Sequence, residues 1–143
     1  MTWQHEVHRL EQHKNYDRVI QEIPYARFIG MSCIPIGQSL IFTLPAKEDN
    51  LGNPTLPALH GGVIAGFMEM SASLFVLLTQ DVRAMPKAID FAIDYLRPGR
   101  LQETYSEVQV IRHGKKIVNA YVLAWQDTKK TPTATARVHL LLP

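Results

Sequence analysis

The sequence predicts a single α+β domain: an antiparallel sheet of about six strands wrapped round one central helix, with a further helix at the N-terminus. Three observations carry that expectation. Apolar residues follow a helical period before Ile23 and again from Gly61 to Thr79, and the second run is apolar on most sides, so it must be surrounded. From Ile89 to the C-terminus the period falls to two, in four runs separated by short turn-like connections. A length of 143 residues with 46% hydrophobic and 20% charged residues suits one core, so residues 1–143 read as one domain.

The elements follow in order. From His5 to Ile23 the residues Val7, Leu10, Tyr16, Val19, Ile20 and Ile23 fall at mostly helical spacing among charges, with a break near Asn15 and Pro24 as the stop. Arg27 to Ile36 and Ser39 to Pro45 read as two strands of a hairpin, the second alternating Leu40, Phe42 and Leu44, with Gly37-Gln38 as the turn. Ala46 to Leu59 is polar and then punctuated by Asn50, Gly52, Asn53, Pro54 and Pro57, a connection long enough to be functional. The helix from Gly61 to Thr79 carries Val63, Phe67, Met70, Leu74 and Leu77 on one stripe, while Ala65, Gly66, Ala72 and Ser73 let its surroundings approach closely. Ile89 to Tyr95, Thr104 to Arg112, Lys116 to Gln126 and Ala134 to Leu142 then read as strands, turned by Arg97-Pro98-Gly99, His113-Gly114-Lys115 and Asp127-Thr128-Lys129.

Composition narrows the function. A net charge of +2 and a pI near 8.8, with basic residues in short turn clusters, give little support for nucleic-acid binding. Those clusters, Arg97/Arg100, Arg112/Lys115/Lys116 and Lys129/Lys130, are either solvated turns or contacts for a small polyanion such as coenzyme phosphates. No secretory signal is visible, and the longest apolar stretch, Val63 to Leu78, is interrupted by Glu69 and is short for a bilayer span. A single cysteine, Cys33, in an apolar run reads as a small buried hydrophobe. The expectation is a soluble cytoplasmic protein that binds neither membrane nor nucleic acid.

The chemistry centres on Leu59 to Glu69. Glycines at a helix start expose unpaired N–H groups at the end where the macrodipole favours negative charge, so Gly61 and Gly62 suit a carbonyl oxyanion or, alternatively, only a tight turn and close packing. An acid in an apolar helix costs several kcal/mol by order of magnitude unless it is paired. Glu69 is therefore expected to be buried, either in an ion pair or bonded to Ser73 one turn away, or else acting as nucleophile or general base. Gly61 and Glu69 stand about 12 Å apart along one helix, which a glutamate side chain cannot span. If this is an enzyme, both groups reach one carbonyl only across a twofold axis between two copies.

His60 either bonds the loop, polarises substrate or finishes the helix start. Asn53 is either a donor from the loop or an ordinary turn residue, and Ser73 either orients water or Glu69 or packs on the sheet. His5, His8 and His13 form no known metal pattern, so no metal site is expected. Gly-x-Ser-x-Gly, Walker-type and dinucleotide motifs do not occur, which leaves the carboxylate as the chemically active group.

With Asn53-Pro54 in the loop, His60-Gly61-Gly62-Val63-Ile64 at the helix start and an acid nine positions after the histidine, the chain resembles the hotdog-fold acyl-CoA thioesterases of the phenylacetic-acid-pathway-like group. Ile23 to Met31 and Asp90 to Pro98 look like that group's approach to the first strand and its strand after the helix. The resemblance implies that the Gly61 N–H polarises a thioester carbonyl while Glu69 of an opposing subunit attacks it or activates water. It also implies that Arg112, Lys115 and Lys116 lie near the coenzyme A phosphates, and Gly62 and Arg97 are expected to bind substrate or coenzyme A beside them. Many members have aspartate where this chain has Glu69. The implied protein is a homodimer or a dimer of dimers with acyl-CoA as substrate and no cofactor. Two rivals stay open: a hotdog acyl-thioester hydratase or dehydratase using His60, and a non-catalytic acyl-ligand-binding protein.

Overall fold

The computed structural model describes residues 16–37 and 39–143, so the expected helix over His5 to Asn15 lies outside the described residues. Two short helices come first, α1 (Tyr16–Gln21) and α2 (Pro24–Ile29). The second corrects the expectation of a strand from Arg27. The preceding helix does end before Pro24, at Gln21, and Pro24 also opens a second one, because a first-turn residue needs no N–H partner. Gly30, at φ 84°, ends α2 by donating its N–H to the carbonyls of Ala26 and Arg27.

Strands β1 (Ser32–Ile36) and β2 (Ser39–Leu44) form the first hairpin, with Ile36 opposite Ser39 and Gly37 at φ 60° in the turn. The long connection is more ordered than a loop. It holds a 3-10 turn at Glu48–Asn50 and a small hairpin of β3 (Leu51–Asn53) and β4 (Ala58–Leu59). Then come α3 (Gly61–Thr79), β5 (Lys87–Tyr95), β6 (Thr104–His113), β7 (Ile117–Trp125) and β8 (Ala134–Leu141).

The main sheet has six strands, all antiparallel, in the order β1-β2-β6-β7-β8-β5. Its inner face closes on α3: Phe42, Val108, Val118, Val122, Val138 and Leu140 are buried with Phe67, Met68, Leu74 and Leu77 of the helix. Long enough and apolar enough to cross a bilayer by length and composition, α3 is here the core helix, with 56% of its apolar window buried. Buried Ser71 donates to the Phe67 carbonyl at 2.7 Å and shares a 2.7 Å hydrogen bond with Ser106 of β6, fixing the helix's rotation against the sheet.

Two bulges depart from strict alternation. The pairing shifts between Ala88 and Asp90 and again between Val110 and Arg112. Each extra residue, Ile89 and Ile111, is exposed, although alternation from Ile89 predicted it inward with Phe91 and Ile93. The two edges also differ. β1 is five residues with Pro35 inside it, whereas β5 is nine residues without proline.

Candidate active site

The start of α3 is held from three sides. Buried Asn50 donates from its side chain to the Ile29 carbonyl at 3.1 Å, and its own carbonyl accepts the His60 N–H at 2.8 Å. Leu59 donates its N–H to the Gly99 carbonyl at 2.8 Å, and Ala58 bridges Arg100, so the connection between β5 and β6 braces the β3–β4 hairpin. Tyr95, the last residue of β5, donates its hydroxyl to the Gly61 carbonyl at 2.7 Å.

His60 is the N-cap residue of α3. Its Nδ1 accepts the Gly62 N–H at 2.9 Å, which leaves the ring proton on Nε2 in the neutral form. The glycine pair therefore divides in use. Gly62's N–H is taken by the ring, whereas Gly61's N–H has no acceptor among the described residues. A cleft of about 440 Å³ opens beside it, walled by Leu59, Ile64, Tyr95, Leu96 and Pro98 with Arg97 at its margin.

Glu69 departs from its expected burial. It is half-buried, on the face of α3 that also carries Gly62, Ala65 and Gly66, because the sheet covers only the opposite side. Among the described residues it has no hydrogen bond or ion pair, so neither the expected arginine partner nor a bond to Ser73 is present. Ser73 is buried one turn further on. The residue beside Glu69 is Tyr25 of α2, whose hydroxyl is raised above its ordinary value of 10.0 by burial and then by the Glu69 charge. Neither Tyr25 nor Tyr95 is among the site residues expected from the sequence, where they fall only in the stretches Ile23 to Met31 and Asp90 to Pro98.

The other expected site residues are dispersed. Asn53 accepts the N–H groups of Thr55 and Leu56 on its side-chain oxygen at 3.0 and 3.3 Å, shaping the tip of the small hairpin. Arg97 stays at the Gly61 end of the fold and donates from Nε to the Pro132 carbonyl at 2.9 Å. Arg112, Lys115 and Lys116 line a cleft of about 570 Å³ with Asn119 and His139, at the β6–β7 turn. That turn lies at the far end of α3, where His113 bonds Gln80, the residue that follows the helix. The basic groups expected to act together are thus separated by the length of a 19-residue helix, about 28 Å. Among the described residues no three His, Cys, Asp or Glu side chains meet as a metal site.

The family model of the thioesterase superfamily matches residues 56–133, a stretch that contains the small hairpin's second strand, all of α3 and three strands of the sheet. The chain belongs to the thioesterase superfamily. This thioesterase-superfamily chain is similar to a Chromobacterium violaceum protein of known crystal structure, with 34% identity over 97% of each chain and a TM-score of 0.81. It also shares its fold with a phenylacetic acid degradation-related protein from Ralstonia eutropha JMP134, at 20% identity, TM-score 0.74 and coverage of 88% of this chain and 98% of that one. Thioesterase superfamily member 2 from Mus musculus has the same fold at 19% identity and TM-score 0.76, covering 91% of this chain and 96% of its own. No curated protein matches the chain. The six-stranded sheet around α3 is the hotdog fold, and membership of the superfamily supports a thioesterase-type function.

Proposed function

We propose that this chain is an acyl-CoA thioesterase of the phenylacetic-acid-pathway-like group, a cytoplasmic homodimer or dimer of dimers that needs no metal or redox cofactor. The observation that carries the reading is the N–H of Gly61, without an acceptor among the described residues, at the start of an apolar helix whose Glu69, unpaired among those residues, lies on the face that the sheet leaves free. An amide so placed suits the negative charge that a thioester oxygen gains under attack.

Glu69 of one copy serves Gly61 of the other. Pairing two copies antiparallel along β5 brings together the faces of their α3 helices that the sheet leaves free, removes water from Glu69 and brings the Arg112–Lys116 turn of one copy to the Gly61 end of its partner. The two basic clusters, far apart in one chain, then flank the same site and suit the phosphates of coenzyme A. As general base, Glu69 takes a proton from water while the water oxygen bonds the carbonyl carbon. The oxyanion rests on the Gly61 N–H and collapses, the C–S bond breaks, and the sulfur leaves as the thiol with that proton. As nucleophile, Glu69 bonds the carbonyl carbon and expels coenzyme A as the thiolate, and water opens the resulting acyl anhydride to the free acid and the regenerated carboxylate.

Thiol release from a panel of aliphatic and aromatic acyl-CoAs tests this, with Glu69→Gln beside the wild-type protein. Turnover by the wild type and a loss of at least about 100-fold in the variant, with the oligomer retained, is the expected result. Near-normal hydrolysis by Glu69→Gln would remove that residue from the mechanism. Binding across the panel without turnover would favour a non-catalytic acyl-binding protein, and water addition to an enoyl-CoA that disappears on changing His60 would favour a hydratase.

A further inference from the structure

We infer that Tyr95 is a positioning residue for hydrolysis, holding the Gly61 amide in place through the peptide unit next to it; the inference rests on the function proposed above. Two successive glycines leave the backbone torsions loosely determined, yet an oxyanion donor is effective only within a narrow range of distance and angle. Something must remove that freedom.

The hydrogen bonds around Gly61 do so. The Gly61–Gly62 peptide is gripped at both ends, its carbonyl by the Tyr95 hydroxyl at 2.7 Å and its N–H by His60 Nδ1 at 2.9 Å. In the preceding His60–Gly61 peptide the carbonyl accepts from Val63 at 3.0 Å and Ile64 at 3.2 Å. Among the described residues the Gly61 N–H is what remains unbonded. His60, Val63 and Ile64 are local to the helix start, so Tyr95, 34 residues away, is the member that ties it to the sheet.

Tyr95 pairs with Ala134 at the end of β5, on the face shared by Phe91 and Ile93, which pack against the core. It is 52% exposed, so core burial does not account for its seat. The fit is close on the other side too: a β-carbon at Gly61 would stand 3.3 Å from the Tyr95 hydroxyl oxygen.

Tyr95→Phe removes the hydroxyl and keeps the ring; Tyr95→Leu removes both. With the best acyl-CoA of the panel, both variants are expected to lose about tenfold in kcat with KM within about twofold, because a misplaced oxyanion donor costs the transition state and not the bound substrate. Glycine-selective 15N spectra give a readout independent of turnover. Tyr95→Phe should shift the Gly61 and Gly62 amides and leave the other six of the eight glycines in place. A Tyr95→Phe protein with wild-type kcat, or one in which only Tyr95→Leu is impaired, would overturn the inference. So would unmoved Gly61 and Gly62 resonances. If the wild-type protein itself releases no thiol, the proposed function fails first and the catalytic role of Tyr95 falls with it.

Discussion

The ring of Tyr25 fills the notch where Gly66 has no side chain: a β-carbon at Gly66 would stand 2.7 Å from Tyr25 Cε1 and 2.8 Å from Cζ. This contact brings α2 onto the same face of α3 that presents Glu69, one turn further along.

Gly66→Ala should therefore swing the Tyr25 ring outward. Alanine favours the helix by about 1 kcal/mol over glycine, which offsets the lost ring contact and keeps stability within about 1 kcal/mol of wild type. Exposed and moved off Glu69, the Tyr25 hydroxyl should titrate closer to 10.0, its ordinary value. Ultraviolet titration of phenolate, with Tyr25→Phe to assign the group, reads this directly; an unmoved titration would show that the ring is held by something other than the Gly66 notch.

Gly61→Pro removes the N–H but also sets a β-carbon 3.3 Å from the Tyr95 hydroxyl oxygen, so Gly61→Ala, which adds that carbon and keeps the N–H, is its control. Proline is tolerated at the first helical position, and His60, with φ −63° and ψ 129°, already has the extended conformation a residue before proline requires. The variant should fold, and lose turnover by about 100-fold or more if that N–H holds the oxyanion. Mixing it one to one with Glu69→Gln should restore about a quarter of wild-type activity, since half of randomly assorted dimers carry one site with both groups intact. No restoration after subunit exchange would place each site within one chain.

The hydroxyl pair beneath α3 makes an asymmetric prediction. Ser71 retains the Phe67 carbonyl if Ser106 is removed, whereas Ser106 has no other hydrogen-bond partner among the described residues if Ser71 is removed. Ser71→Ala should cost about 1–3 kcal/mol in urea unfolding, more than Ser106→Ala, and the double variant should recover part of the loss. Equal single losses would count against the bond as drawn.

Cys33 is buried, and burial, with a smaller effect of the Asp17 charge, pushes its thiol from 9.0 to about 12. The folded state holds this proton more firmly than the unfolded chain, so the group's contribution is intact below pH 9 and is lost as the pH rises from there to about 12. Melting temperatures should fall less steeply over that range for Cys33→Ala than for wild type. At neutral pH the folded protein should resist thiol reagents until it unfolds.

Much of the architecture was legible because period-two and helical patterns report directly which faces a core covers. Hence α3 and the four C-terminal strands were found at nearly their observed positions. The bulges at Ile89 and Ile111 were not, since an extra residue is set by sheet curvature and leaves no mark on composition. Arg27 to Ile29, the second half of α2, read as strand in the sequence because Pro24 serves equally as a stop and as a first helical residue. Glu69 and the glycine pair stood out as chemistry in a hydrophobic run. Their surroundings did not: Tyr95 reaches Gly61 only through the closure of the fold, and a side of α3 left bare by the sheet cannot be inferred from a helix that is apolar nearly all round.

The unlike margins of the sheet limit how many copies can extend it. At β1 the strand is short and Pro35 offers no N–H to a newcomer, while β5 presents nine residues unbroken by proline. When two β5 margins join, what remains at either end of the enlarged sheet is a β1, which makes a poor template. In the proposed dimer lateral growth would thereby stop at a pair, and a larger assembly would have to form by stacking faces instead of lengthening a ribbon.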